Sequence, residues 1–253
     1  MRGSRPVIDP VLSKLAALAP LAAADAMLVR SLSARREQQP SGTELCGEGS
    51  AIRPRVLLSG WAARVRMLPD GRRQIFTFLV PGDGIGVCSH PQPVALSSCI
   101  ALTRVETADA AALHDAVAAD PNGALALACA RAAGLEEARG LDHVMRLGRQ
   151  TALERTLHLF LELRWRLAAV GLADDSRFPL PLTQEMLADA LGLSIVHVNR
   201  TLQQLRRDGM IEMKSGWVEL IDRAELAERA DYAPPREPRA ASPKRSFAAE
   251  ARA

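Results

Sequence analysis

The pattern of apolar and polar positions changes character along the chain. From Leu12 to Ala34, Ala and Leu dominate without strand-like alternation, which predicts one or two short helices. From Arg35 to Asp109, Gly and Pro punctuate short apolar runs, at Pro40-Ser41-Gly42, Gly47-Glu48-Gly49, Pro69-Asp70-Gly71 and Pro81-Gly82-Asp83-Gly84. Turn signals at that density predict an all-β unit. Trp61 to Leu68 reads as its clearest strand. Ala63, Val65 and Met67 fall on one face and Arg64 and Arg66 on the other, the period-2 pattern of a half-buried strand. Pro69-Asp70-Gly71 then reverses the chain into Gln74–Leu79, which is apolar on both faces, as in the middle of a roll or barrel. Ser97–Leu102 and Arg104–Ala108 read as two further strands.

Beyond Ala110 the period becomes helical. Ala111–Ala119 is one short piece. A long helix is predicted next, with Asp120 as N-cap and Pro121 at its first position, running to about Arg146. Leu127, Ala130, Gly134, Ala138, Leu141 and Met145 form a heptad-like stripe with small residues in its middle. Small residues let helix backbones approach closely, so a second copy of the helix is the expected cover. Packing of the stripe on the chain's own β unit is the alternative. Residues 151–170 form another amphipathic helix, with Leu153, Leu157, Phe160 and Leu167 on one buried face. Gly171 ends it and Asp174-Asp175-Ser176 is a loop.

Residues 183–209 carry the most information. Thr183 is a natural N-cap for a short helix that stops at Gly192. Ser194 caps a second helix that continues through Val198 and Leu202 to Arg206-Arg207. Ala188, Gly192 and Val198 have the spacing of a helix-turn-helix. Ala lets the helices cross closely, Gly takes the positive φ of the sharp turn, and β-branched Val fills the angle between them. Gly209–Met213 and Trp217–Leu220 flank a three-residue turn, Lys214-Ser215-Gly216, and read as a hairpin. A hairpin after a helix-turn-helix makes a winged helix, whose second helix enters the DNA major groove.

Composition narrows the classes. The 253 residues suit one large domain or two small ones, and 48% hydrophobic with 24% charged residues is ordinary for a globular chain. The net charge of +3 excludes binding of nucleic acid through bulk charge alone. Leu12–Val29 is interrupted by Ser13, Lys14, Pro20 and Asp25, too broken for a membrane span, and it does not read as a secretory signal, because Met1–Pro6 is not followed by a compact apolar core and a small-residue cleavage site. A cytoplasmic protein is expected. Cys46, Cys88, Cys99 and Cys129 lack the spacing of a zinc or iron–sulfur site and read as unpaired thiols, with a thiol switch between Cys88 and Cys99 as the alternative. No metal site is expected. No phosphate loop, nucleophile elbow or paired catalytic carboxylates occur, so no catalytic residues are assigned and the chain is not read as an enzyme.

With these motifs in place the chain resembles the Crp/Fnr family of bacterial transcription regulators. The likeness rests on Leu58-Ser59-Gly60-Trp61, on Leu68-Pro69-Asp70-Gly71-Arg72-Arg73-Gln74-Ile75, on Leu79-Val80-Pro81-Gly82-Asp83 and, after a long helix, on Leu182-Thr183-Gln184, Leu191-Gly192-Leu193-Ser194 and Val198-Asn199-Arg200-Thr201-Leu202. It implies an α+β fold. An N-terminal extension (1–19) would precede a double-stranded, jelly-roll-like, cyclic-nucleotide-binding-like sensor β-roll (20–119). A dimerisation helix (120–147) and a winged helix-turn-helix (148–222) would follow, then a helix end and disordered tail (223–253). The resemblance implies a homodimer on a two-fold symmetric operator in double-stranded DNA, with RNA polymerase as a further partner and no membrane partner. Ile195, Val196, Asn199 and Arg200 would face bases, Arg200 matching the family's base-reading arginine. Thr183, Gln184, Ser194, His197 and Lys214 would sit near phosphates. The dimer helix would use Leu127, Gly134, Ala138, Leu141 and Met145. Many members carry a glutamate where Val196 stands. Val accepts no hydrogen bond, so the half-site should differ at that base pair.

The effector pocket would be built by Gly86, Val87, Cys88, Ser97 and Ser98. Val87 stands where nucleotide-binding relatives place a ribose-binding glutamate, and Ala95-Leu96 where they place an Arg-Ser pair. No arginine lies between Arg73 and Arg104, so a phosphodiester would lack a cationic partner. Weak or no binding of cyclic AMP is expected. An iron–sulfur cluster is not expected, because no cysteine precedes Cys46, and the sequence leaves a haem on His90 open. The competing reading is a ligand-binding or redox-sensing signalling module that acts mainly through protein contacts.

Overall fold

The computed structural model describes residues 9–87 and 94–235. Cys88, His90 and the tail from residue 236 lie outside the described residues. Two helices come first, α1 (Pro10–Leu18) and α2 (Ala23–Leu32). The Asp9 carboxylate caps α1 by accepting from the N–H groups of Val11 and Leu12. Val11 and Leu15 bury themselves against the roll and the helices beyond it, so α1 lies within the folded body although residues 1–19 read as an extension.

The roll is formed by β1 (Arg36–Gln39), β2 (Glu44–Cys46), β3 (Arg55–Ser59), β4 (Ala62–Met67), β5 (Arg73–Leu79), β6 (Gly84–Ile85), β7 (Ser98–Ala101) and β8 (Val105–Asp109). They make two antiparallel sheets, ordered β1-β8-β3-β6 and β2-β7-β4-β5. Leu57, Ile85 and Val105 of the first meet Ala62, Leu79, Cys99 and Ala101 of the second in the core between them.

The outer face of the second sheet is also covered. Ala63, Val65, Ile75 and Phe78 join a core shared with the C-terminal helices. That explains the two apolar faces of β5. It also corrects the half-buried reading of β4 at Arg64, which looks into a cavity of the roll, while Arg66 on the same face is exposed as that reading expects. Met67, expected with Ala63 and Val65, is 55% exposed, because it lies at the end of the β4–β5 hairpin beyond the covering helices.

Three helices follow, α3 (Ala111–Ala119), α4 (Ala124–Arg149) and α5 (Ala152–Ala169). Asp120 does not cap α4. It closes α3, and its carbonyl accepts from the Gly123 N–H at 3.2 Å across a Pro121-Asn122 turn. Pro is pre-set for such a turn as well as for a first helical position, so local signals alone did not separate the two. Gly123 is the N-cap. Helix α5 carries a Thr151–Glu154 capping box. It is buried almost all round rather than on one face, from Thr156 to Leu163 and again at Arg166 and Leu167. The cause is its position between the outer face of the second sheet and the C-terminal unit.

That unit continues with β9 (Arg177–Pro179), α6 (Gln184–Leu191), α7 (Ile195–Arg207), β10 (Ile211–Lys214), β11 (Trp217–Leu220) and α8 (Arg223–Arg229). Strand β9, short and unanticipated, completes a sheet of order β10-β11-β9. The wing turn has two residues rather than three. Lys214 pairs with Trp217, and Ser215 and Gly216 both have positive φ, 51° and 78°, as a type I′ turn requires.

Candidate nucleic-acid interface and effector cavity

The helix-turn-helix is locked by its own caps. Thr183 Oγ1 accepts from the Met186 N–H at 3.2 Å, and Ser194 Oγ from the His197 N–H at 3.2 Å. Gly192 ends α6 with φ 62°. A Cβ there would lie 3.0 Å from Leu147 Cδ2, so the turn rests on α4. Ala188 and Val198 are buried where the helices cross, and Val198, Thr201, Leu202 and Leu205 form the inner face of α7.

With that face fixed, the opposite one is presented outward. Ile195 is 50% and Val196 61% exposed, and Arg200 is exposed beside them. Asn199 is half-buried and donates through Nδ2 to Gln184 Oε1 at 3.0 Å. Thr183, Gln184, Ser194 and His197 are exposed around the N-termini of α6 and α7, and Lys214 is exposed at the wing tip. The structure therefore gathers all nine residues assigned to the DNA contact along α6, α7 and the wing.

The effector residues separate. Gly86, Val87 and Ser97 line a cavity of about 250 Å³ between the roll, α1 and α4. Ser98 does not line it; its Oγ accepts from the Glu48 N–H at 3.2 Å. Cys88 lies outside the described residues. The cavity does contain cations, contrary to the reading that no cationic partner was at hand. Arg64 and Lys14 line it, each engaged with a carboxylate. Arg64 pairs with Glu136 of α4 at 3.1 Å and Lys14 with Asp83 at 2.6 Å. Neither is close in sequence to the segment 86–97, which is why the local pattern missed them.

Cys46, Cys99 and Cys129 also line this cavity. Hydrogen bonding with Cys99 lowers the Cys46 thiol to about 7 against the opposing effect of burial, with a smaller contribution from the Arg64 charge. The same bond, together with burial, pushes Cys99 up, and burial pushes Cys129 up to about 11.

A buried polar cluster joins the roll to the C-terminal helices. Arg166 bonds Asp83 at 2.6 Å, Glu162 at 3.1 Å and the Phe78 carbonyl at 2.7 Å. Arg146 of α4 bonds Glu162 at 2.5 Å and lies 3.2 Å from His158 Nδ1. Burial disfavours the Asp83 and Glu162 charges, yet the surrounding cations hold both carboxyls below their ordinary values. Farther out, Arg73 of the β4–β5 hairpin pairs with Asp189 of α6 at 2.6 Å, and Gln74 donates to the Asp189 carbonyl at 2.8 Å. Arg73, Gln74 and Asp83 stand in the motifs that carry the resemblance, but no local pattern pairs them with Asp189 and Arg166, which lie far along the chain.

Comparison with known proteins agrees with this architecture. A model of the Crp-like helix-turn-helix domain matches residues 154–229. The chain is 33% identical over 170 residues to the nitrogen fixation regulation protein FixK of Bradyrhizobium diazoefficiens, covering 67% of this chain and 70% of that protein. It is 30% identical over 187 residues to the transcriptional activator protein FnrL of Cereibacter sphaeroides, covering 69% and 71%. The solved structure of FixK2 from Bradyrhizobium japonicum superposes with a TM-score of 0.67 at 26% identity, over 79% of this chain and 98% of that one. A CRP/FNR-family regulator from Thermus thermophilus shares the fold, with a TM-score of 0.57 at 20% identity over 78% and 99%.

Proposed function

The chain belongs to the Crp/Fnr family of DNA-binding transcription regulators, and on that premise we propose that it acts in the cytoplasm as a homodimer on a two-fold symmetric operator. The observation that carries the reading is the outward face of α7. Two apolar side chains, Ile195 and Val196, stand exposed beside Arg200 at the end of a helix whose other face is fully packed. Exposed apolar groups there suit thymine methyl contact, and Arg200 suits a bidentate contact with guanine. Asn199 reads a base edge with Gln184 holding its amide, while Thr183, Ser194, His197 and Lys214 position the helix on phosphates.

The dimer is supported by α4. Leu127, Leu141 and Val144 are 43%, 67% and 68% exposed, and Gly134 on the same stripe is open to its surroundings. A second copy would cover this face, with Ala138 and Met145 beside it. RNA polymerase is the proposed protein partner.

The sensor roll is proposed not to hold cyclic AMP tightly. Its cassette lacks the glutamate and the Arg-Ser pair, and Arg64 and Lys14 are already committed to Glu136 and Asp83. No metal, iron–sulfur cluster or catalytic role is proposed.

Selection of bound DNA from a random pool by the full-length protein tests the reading. The expected product is an inverted repeat with half-sites spaced by about 10–10.5 bp or a multiple. Enrichment of no sequence, or of a single asymmetric site, would overturn it. Calorimetry with cyclic AMP is expected to show no micromolar binding.

A further inference from the structure

Cys46, Cys99 and Arg64 lie in one row across the second sheet of the roll. Cys46 of β2 is registered opposite Cys99 of β7, and Cys99 opposite Arg64 of β4. Directly opposed residues in an antiparallel pair have Cα atoms about 4.5–5.5 Å apart. A disulfide accepts about 4.4–6.8 Å. Strand β2 is the edge of its sheet, and a bulge between Glu44 and Cys46 interrupts its ladder, so Cys46 can shift while disturbing only one neighbouring strand. Both thiols line the cavity, Cys46 half-buried and Cys99 only 2% exposed.

We propose that Cys46 and Cys99 form a thiol pair oxidised by hydroperoxides, with Cys46 attacking and Cys99 resolving. The two roles follow from the row. Cys46 is the more exposed of the two, and hydrogen bonding with Cys99, together with the charge of Arg64 in the same row, favours its thiolate. Cys99, registered directly opposite Cys46, is pushed toward its protonated form by that bond and by burial. The third described thiol at the cavity, Cys129 on α4, is pushed up to about 11 by burial.

In the first step the Cys46 thiolate attacks one peroxide oxygen. An S–O bond forms and the O–O bond breaks, leaving Cys46 as a sulfenic acid and releasing an alkoxide or hydroxide that takes up a proton. In the second step Cys99 loses its proton and its sulfur attacks Cys46. The S–S bond forms, the S–O bond breaks, and hydroxide leaves with that proton as water. Two thiols lose two hydrogens in all, and the hydroperoxide is reduced to an alcohol, or to water when it is hydrogen peroxide, plus water. The thiolate beside Arg64 is consumed, so the ion pair from Arg64 to Glu136 on α4 loses a competing anion.

The proposal does not rest on the DNA-binding reading, and its test uses no DNA. Full-length protein is treated with one to a few equivalents of hydrogen peroxide and mapped by peptide mass spectrometry. A Cys46–Cys99 crosslinked peptide lacking two hydrogens is expected first. In Cys99→Ala, shown by circular dichroism to be folded, dimedone should label Cys46; in Cys46→Ser, oxidation at Cys99 should slow by about tenfold or more. If Cys88 or Cys129 is oxidised while Cys46 stays free, or if the first crosslink joins a different pair, the proposal fails. The wild-type map decides this even where a variant does not fold.

Discussion

Arg166 of α5 donates to the Asp83 carboxylate of the Pro81-Gly82-Asp83 turn at 2.6 Å, with side-chain exposures of 4% and 3%. The pair fastens the roll to the first helix of the DNA-binding unit. Asp83 also accepts from Lys14 of α1 at 2.6 Å and from the Val80 N–H at 2.8 Å. One buried carboxylate thus joins the N-terminal helix, the roll and α5. Breaking such a pair by removing one partner leaves a buried charge and costs about 3–5 kcal/mol. Arg166→Met is expected to destabilise the chain by that amount in urea unfolding. The double variant Asp83→Asn/Arg166→Met should cost less than the sum of the single changes. Strict additivity would show that the two side chains are not coupled.

His143 and His158 sit near the same cluster, and burial, then Arg146, lowers both to about 4. Arginine only donates, so His158 Nδ1 is the acceptor toward Arg146 and the ring is neutral. Each histidine binds a proton more readily in the unfolded chain. Their contribution to stability is therefore fully present above about pH 6.5 and is lost as pH falls toward 4, by about 1.4 kcal/mol per pH unit for each proton excluded. Thermal unfolding midpoints between pH 7 and 4.5 should show this slope. His158→Gln should reduce it, and an unchanged slope would assign the effect to other groups.

Gly192 has φ 62°, and a Cβ there would stand 3.0 Å from Leu147 Cδ2, so that side chain would have to shift slightly. Gly192→Ala should destabilise the DNA-binding unit by about 1–2 kcal/mol through its left-handed backbone alone. A chemical denaturation midpoint equal to wild type would contradict the tight turn.

Arg200 and Lys214 should separate under mutation. Arg200→Ala is expected to cost about 1–3 kcal/mol on the selected operator and to relax sequence preference at one base pair of each half-site. Lys214→Ala should weaken binding evenly across sequences and lower the salt slope by about 1. Gel shifts at several salt concentrations distinguish the two patterns. Loss of sequence preference from Lys214→Ala would reverse the assignment.

Leu141 lies on the exposed stripe of α4 at 67% exposure. Leu141→Glu should convert a dimer to a monomer in sedimentation velocity while leaving the circular dichroism spectrum unchanged. A monomeric wild-type protein would remove the basis for the paired operator.

The chain's own order of residues determined what depends on near neighbours. Thr183, Gly192 and Ser194 mark the limits of α6 and α7 because caps and a positive-φ turn act within a few residues. The alternation in β4 and the Pro69-Asp70-Gly71 reversal marked the hairpin for the same reason. The resemblance carried by these motifs extended the reading to the roll, and the architecture agrees. Strands such as β1, written Arg-Glu-Gln-Gln, were not legible, because a polar edge strand is held by its ladder to β8 rather than by apolar alternation.

Tertiary structure decided which face meets which. It turned Arg64 into the cavity, because Ala63 and Val65 were needed against the C-terminal core. It buried Glu162, His158 and Arg166 on a helix that a single amphipathic stripe would leave half in water. It set Cys46 opposite Cys99, since sheet register pairs residues far apart in sequence. Local propensity and capping are written in adjacent residues, but burial and charge pairing depend on what a second element brings to the surface. Only the folded chain supplies that partner.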